Sequence, residues 1–166
     1  MDSIINYIKA TTAYGGDDYF KFSRYYTAEN MLSFEEWLTK QAKANGITLY
    51  RGYCFEESYW NDCSLYFDGD GIITEDQLTA ALDLPAFTES LIRASNYMNE
   101  FGNSIGDYGD QKVLFEIHTC GKYFVDISCH SHYKSEREYR CVRGTKLHVD
   151  SIKNKGSFIH ITCTEV

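Results

Sequence analysis

Apolar positions along this chain change their period near residue 47. Before that point they recur at helical spacing. Ile4, Ile5, Tyr7 and Ile8 predict a short amphipathic helix that stops near Gly15-Gly16. Ser33-Phe34-Glu35-Glu36 has capping-box spacing, and Trp37, Leu38 and Ala42 continue it into a helix that stops at Gly46. Residues 47–55 then read as the first strand. Thr74-Glu75-Asp76-Gln77 is a second capping box, opening a helix through Leu82 that ends before Pro85. Residues 88–101 predict a further helix, with Leu91, Ile92, Ala94, Tyr97 and Met98 at three- and four-residue steps. From Lys112 onward strands dominate, over 113–118, 123–127, 136–142, 146–152 and 157–164. Helices first and sheet afterwards give an α+β class. No repeat or linker divides the 166 residues, so one domain is expected over 1–166, helical through 46 and sheet-rich from 47.

Composition narrows this little: 43% hydrophobic and 16% aromatic residues suit a packed core. The 14 tyrosines against 2 tryptophans suit sheets with half-wet faces. Charge is more telling. The net value is −8, yet residues 1–110 hold 18 acidic and 7 basic side chains while residues 111–166 hold 6 and 9. Overall acidity argues against a dedicated nucleic-acid scaffold, and an anionic small molecule is the better ligand. No basic-apolar leader or membrane-length apolar run is seen, so the expected location is cytoplasmic, of a host or target cell, with its six cysteines reduced and no membrane partner.

The most informative stretch is Glu136-Arg137-Glu138. On a strand, residues two apart share a face, so both carboxylates would enter one site. Like charges so close need partners or a task. Paired carboxylates suit chemistry through a sugar cation, one stabilising positive charge and the other serving the nucleophile. A solvated pair on an exposed face is the plain alternative. Lys134, Arg137, Arg140, Arg143 and Lys146 form a basic collar inviting an anion. Upstream, Arg51 sits inside an apolar strand, where its planar fork suits phosphate or a structural carboxylate, and Gly52 permits close backbone approach. Thr88 and Ser90 precede a helix, which either hydroxyl can cap; either can also fix a carboxylate's rotamer.

Other patterns fade on inspection. Asp68–Ile73 mimics a calcium loop, but with Gly71 at the sixth position, Tyr66 and Gln77 fall where carboxylates are required. His118, Cys120, Cys129, His130 and His132 lack compact zinc spacing, so no metal is expected. Cys129 has neither an orienting acid nor a glycine turn for hydrolase chemistry.

In order, Tyr50-Arg51-Gly52, the hydroxyl-rich Phe87-Thr88-Glu89-Ser90, Val113–Ile117, and Ser135-Glu136-Arg137-Glu138 followed by Arg143–Val149 resemble the arginine–serine–glutamate mono-ADP-ribosyltransferases. This is the cholera-toxin-like and clostridial-toxin-like group, which includes phage enzymes. The resemblance covers residues 33–166. It implies two small packed, mainly antiparallel sheets enclosing an NAD cleft, with N-terminal helices. It also implies transfer of ADP-ribose from NAD to an arginine of a target protein, with release of nicotinamide. Arg51 would hold an NAD phosphate and Gly52 the nicotinamide amide. Thr88-Glu89-Ser90 falls on the family's Ser-Thr-Ser, departing at the middle residue, with Ser90 orienting the catalytic Glu138. Glu136 would be the upstream glutamate that goes with arginine acceptors, Tyr133 the aromatic meeting the target, and Tyr97 a nicotinamide-pocket residue. A nucleic-acid acceptor, simple NAD hydrolysis and a non-catalytic interaction module are the alternatives; oligomeric state is not encoded in any motif.

Overall fold

The computed structural model describes residues 1–13, 18–105 and 110–166; the expected stop at Gly15-Gly16 lies outside them. Helix α1 spans Asp2–Thr12, α2 Tyr19–Phe22 and α3 Ala28–Lys40. Strand β1 (Asn45–Phe55) precedes α4 (Glu57–Cys63), β2 (Ile72–Thr74) and α5 (Glu75–Leu82). β3 (Ala86–Thr88), α6 (Leu91–Ile105), β4 (Gln111–Cys120), β5 (Phe124–Asp126), β6 (Glu138–Cys141), β7 (Lys146–Asn154) and β8 (Ile159–Glu165) complete the chain. The α+β reading holds, but helices and strands interleave after β1, where α4, α5 and α6 follow, and only from β4 onward does sheet dominate.

The eight strands are ordered β2-β7-β8-β4-β1-β3-β6-β5. All pairs are antiparallel except β4–β8. The expected two sheets are joined into one ladder, because β1 and β3 share the residue pair Tyr50↔Thr88. A five-stranded portion and a three-stranded portion diverge from that joint. Their facing sides bury one core, in which Phe87 and Phe124 pack edge to face at 5.3 Å beside Phe115, Ile117, Leu147 and Val149. A second cluster seats α1 and α3 on the smaller portion, joining Tyr7, Ile8, Phe34 and Leu38 to Val125, Ile127 and Val142.

Local sequence explains most boundaries. Thr74 accepts from the Gln77 N–H while the Gln77 side chain accepts from the Thr74 N–H, the predicted reciprocal cap of α5. Three expectations need correction. Ser33 lies inside α3, which starts one and a half turns earlier, where Thr27 accepts from Asn30 N–H at 3.1 Å; the Glu36 partner therefore has no cap to complete. That helix also stops at Lys40, before Gly46, whose positive φ of 71° falls within β1. The helix expected from Thr88 starts at Leu91, because Ala86–Thr88 pair with β6 instead.

Gly52 is required by packing. A Cβ there would lie 1.8 Å from the Ala94 carbonyl oxygen, so α6 rests directly on the β1 backbone. Together with Met98 and Leu114, Ala94 forms a third small core. Gly52→Ala should displace α6 and destabilise the protein by about 1–3 kcal/mol, read as a lower thermal midpoint; an unchanged midpoint would contradict this packing.

Candidate active site

A cavity of about 500 Å³ opens where the two sheet portions part, within the roughly 300–1,000 Å³ of small-molecule sites. Strand β1 supplies Tyr50, Arg51, Gly52 and Tyr53, and β3 supplies Thr88. Helix α6 contributes Arg93, Ala94 and Tyr97, while Glu136 and Glu138 enter from the opposite wall. The C-terminal end of α1 adds Thr11 and Thr12. Arg51, Gly52, Thr88, Tyr97, Glu136 and Glu138, all singled out in the sequence, therefore meet in one cavity.

The carboxylates converge by an unexpected route. Glu136 closes a short 3₁₀ turn, Lys134–Glu136, and strand β6 begins only at Glu138. Between them Arg137 adopts φ 50°, ψ 56°, a left-handed conformation uncommon for a residue with a Cβ. Strand alternation is thus not what aligns the pair; the kink at Arg137 is. It is braced on both sides by the hydroxyl-rich segment. The Thr88 hydroxyl donates to the Glu136 carbonyl at 2.6 Å, and the Arg137 guanidinium meets the Glu89 carboxylate at 2.6 Å. Glu89 was the departure in the middle of the Thr-Glu-Ser segment, and its partner is the middle residue of Glu-Arg-Glu.

Ser90 is placed differently from the expectation. Its hydroxyl accepts from the Arg93 N–H at 3.2 Å, capping α6, and Ser90 is not among the residues lining the cavity. Thr88 is instead the residue directly across the ladder from Glu138. Tyr133, 37% exposed, precedes the turn that carries Glu136 and packs against His132 with ring centroids 4.6 Å apart.

Arg51 binds its own chain. Its guanidinium donates to the carbonyls of Leu84 and Ala86, both at 2.9 Å, with a longer contact to Leu82 at 3.5 Å. Burial pushes it down from the usual arginine range, and the nearby Glu138 opposes that push. The basic collar largely dissolves on folding. Arg137 pairs with Glu89, Arg143 with Glu35 at 3.0 Å, and Arg140 turns inward to Glu138. Among the described residues, the cations that line the cavity are Arg51 and Arg93. Arg93 escaped sequence reading because a charge in the first turn of a helix looks like a solvated face.

Glu136 is half-buried, and its Oε1 accepts from the Tyr97 hydroxyl at 2.7 Å. Burial raises its pKa above the usual carboxylate range; the Tyr97 hydrogen bond lowers it, and Glu138 raises it again. Burial and the hydrogen bond to Glu136 push the Tyr97 phenol well above its ordinary value. Cys54, Cys63, Cys141 and Cys163 are buried and Cys120 and Cys129 exposed, all as free thiols. Among the described residues, no group of three or more His, Cys, Asp or Glu has the arrangement of a metal site, and no helix is long and apolar enough to cross a membrane.

Ser90→Ala should cost about 1 kcal/mol through loss of the α6 cap, measured by denaturant unfolding. Stability indistinguishable from the parent would remove the capping role.

No protein-family model matches the chain, and the search of curated proteins gave no match. Solved structures do match. The ADP-ribosyltransferase Vis in complex with agmatine aligns over 99% of this chain and 67% of its own, with TM-score 0.59 and 19% identity; Vis is a toxin from Vibrio splendidus. The ADP-ribosyltransferase HopU1 of Pseudomonas syringae aligns over 99% of this chain and 64% of its own, with TM-score 0.52 and 16% identity. The C3 exoenzyme of Clostridium limosum aligns over 100% and 86%, with TM-score 0.56 and 14% identity. The chain spans about two thirds of the length of the Vis and HopU1 chains. In fold the chain is similar to these ADP-ribosyltransferase structures.

Proposed function

We propose that this protein is an NAD-dependent mono-ADP-ribosyltransferase that transfers ADP-ribose to an arginine side chain of a target protein and releases nicotinamide. One observation carries the reading: Glu136 and Glu138 face the same cavity as Arg51, Thr88 and Tyr97. The fold it shares with Vis, HopU1 and the C3 exoenzyme supports it. The arginine acceptor draws support from Glu136 and from the agmatine bound by Vis, since agmatine carries the same guanidinium head as arginine.

NAD supplies a nicotinamide–ribose bond whose cleavage places positive charge on the ribose. Glu138 is the group to stabilise that charge, through a hydrogen bond from the ribose 2′-hydroxyl. A guanidinium is protonated in water and a poor nucleophile. Glu136 orients it and accepts its proton as the new bond forms, a task suited to a carboxylate whose pKa burial has raised. Gly52, at the cavity wall, is the backbone to meet the nicotinamide amide. Arg51 sets the shape of the Leu82–Ala86 loop and, with Arg93, supplies positive charge for the diphosphate. Tyr97 bridges the nicotinamide wall and Glu136, and the exposed Tyr133 meets the target.

Incubating the pure protein with NAD and an arginine analogue such as agmatine tests this directly. Glu138→Gln should reduce both nicotinamide release and transfer by about 10²–10³. Glu136→Gln should spare hydrolysis more than transfer. Equal loss in both variants refutes the division of labour; no nicotinamide release above a Glu138→Ala control favours a non-catalytic module. Label recovered in RNA and not in protein would move the acceptor to nucleic acid.

The pH profile gives a second test. Glu136 must be ionised to take a proton, so transfer should fall as pH drops through its raised pKa. The Tyr97 hydroxyl favours the ionised form; Tyr97→Phe therefore should move the acid limb of transfer to higher pH, with the limb for hydrolysis unmoved. A limb that stays put in Tyr97→Phe would exclude Glu136 as the titrating base.

A further inference from the structure

Arg140 lies two residues beyond Glu138 on β6 and is 3% exposed. Its Nε donates to Glu138 Oε2 at 2.5 Å, and its Nη2 donates to the Thr11 hydroxyl at 3.0 Å. The Thr11 hydroxyl in turn donates to the Ile8 carbonyl at 2.9 Å, which leaves its lone pairs for Arg140. Burying an ion pair is costly, and an apolar residue of similar volume at such a position is often as stable or more so. Core filling alone does not account for an arginine here.

Among the described residues, neither hydroxyl expected to orient Glu138 is hydrogen-bonded to its carboxylate. Ser90 Oγ accepts from Arg93 N–H, and the Thr88 hydroxyl donates to the Glu136 carbonyl. Among the described residues, the side chain that bonds the Glu138 carboxylate is Arg140. Resting on the enzymatic reading above, we infer that Arg140, braced by Thr11 of α1, is the positioning residue for Glu138, in the place of a serine hydroxyl. The guanidinium is planar and its donors diverge at fixed angles. Tying one donor to Thr11 therefore fixes where the other meets Glu138, and Oε2 is held while Oε1 is left for the ribose hydroxyl. The brace comes from 129 residues away in sequence. It makes α1, whose Tyr7 and Ile8 pack on Val125, Ile127 and Val142 of the smaller sheet portion, a working part of the site.

Thr11→Val removes the acceptor at nearly constant shape, Thr11→Ser restores it, and Arg140→Lys keeps the charge without the fork. With NAD as substrate and nicotinamide release as readout, Arg140→Lys should lower kcat by about 10²-fold and Thr11→Val by about tenfold, the scale of a small misplacement of a reacting group. KM for NAD should stay within about twofold in both, and Thr11→Ser should recover most of the loss. Circular dichroism and a cooperative thermal transition confirm that each variant folds; should Arg140→Lys fail to fold, Thr11→Val and Thr11→Ser decide alone. Parental kcat in folded Thr11→Val, a loss confined to KM, or no recovery in Thr11→Ser overturns the inference. A wild-type protein that releases no nicotinamide overturns the enzymatic reading itself. In that event the Arg140 Nε–H resonance, expected to be protected from exchange and lost in Glu138→Gln, still reports whether the pair exists in solution.

Discussion

The joint between β1 and β3 organises this molecule. One residue pair, Tyr50↔Thr88, links a five-stranded and a three-stranded portion that otherwise diverge. Because the ladder is so short there, the portions turn their inner faces together and bury Phe87, Phe115 and Phe124 between them. The same divergence leaves a gap along one side. Arg51 follows the joint on β1, and Glu138 on β6 faces Thr88 on β3. Residues distant in sequence reach one cavity because each is within a residue or two of that joint. Arg51 then ties the Leu82–Ala86 connection to β1 through carbonyl hydrogen bonds, holding the incoming end of β3 where the ladder alone would be weak.

Charge in the cavity is arranged by depth. The deepest carboxylate, Glu138, is paired with a buried guanidinium, which is the condition under which a charge can be kept out of water. Glu136 sits nearer the solvent, with a phenol for a partner and Glu138 as a like-charged neighbour. Two glutamates separated by one residue thus occupy different electrostatic environments, one against a guanidinium and the other against a phenol. A regular strand would have given them equivalent surroundings. The left-handed Arg137 prevents that, and the Glu89 carboxylate, 24% exposed at its side chain, helps hold it.

Much of this was legible in the chain. The change from helical to alternating spacing near residue 47 located β1, and the reciprocal cap at Thr74 and Gln77 marked α5, because both signals are local. The order of arginine, hydroxyls and paired glutamates gathered six residues that share the cavity. What escaped notice depends on partners far away in sequence. Ser33 has perfect capping spacing, yet Thr27 starts the helix earlier, and spacing alone cannot rank two caps. The basic collar was counted as free charge, whereas Glu89, Glu35 and Glu138 take up three of its members. Nothing near Thr11 announces that its hydroxyl accepts from Arg140.

The segment Thr88-Glu89-Ser90 shows why a motif's residues should be read by their partners. Thr88 supports the Glu136 carbonyl and receives the Ser90 N–H. Glu89 meets Arg137, and Ser90 caps α6. Three adjacent residues thus fix three different things: the turn carrying one acid, the kink between the acids and the helix carrying Tyr97. A threonine at position 89 would leave Arg137 without its carboxylate, and an exposed ion pair of this kind contributes at most about 1 kcal/mol to stability. Its larger effect is geometric, since the left-handed residue it holds sets the angle between Glu136 and Glu138. The departure at 89 and the arginine at 137 are therefore one feature, and the alignment of the two carboxylates depends on both.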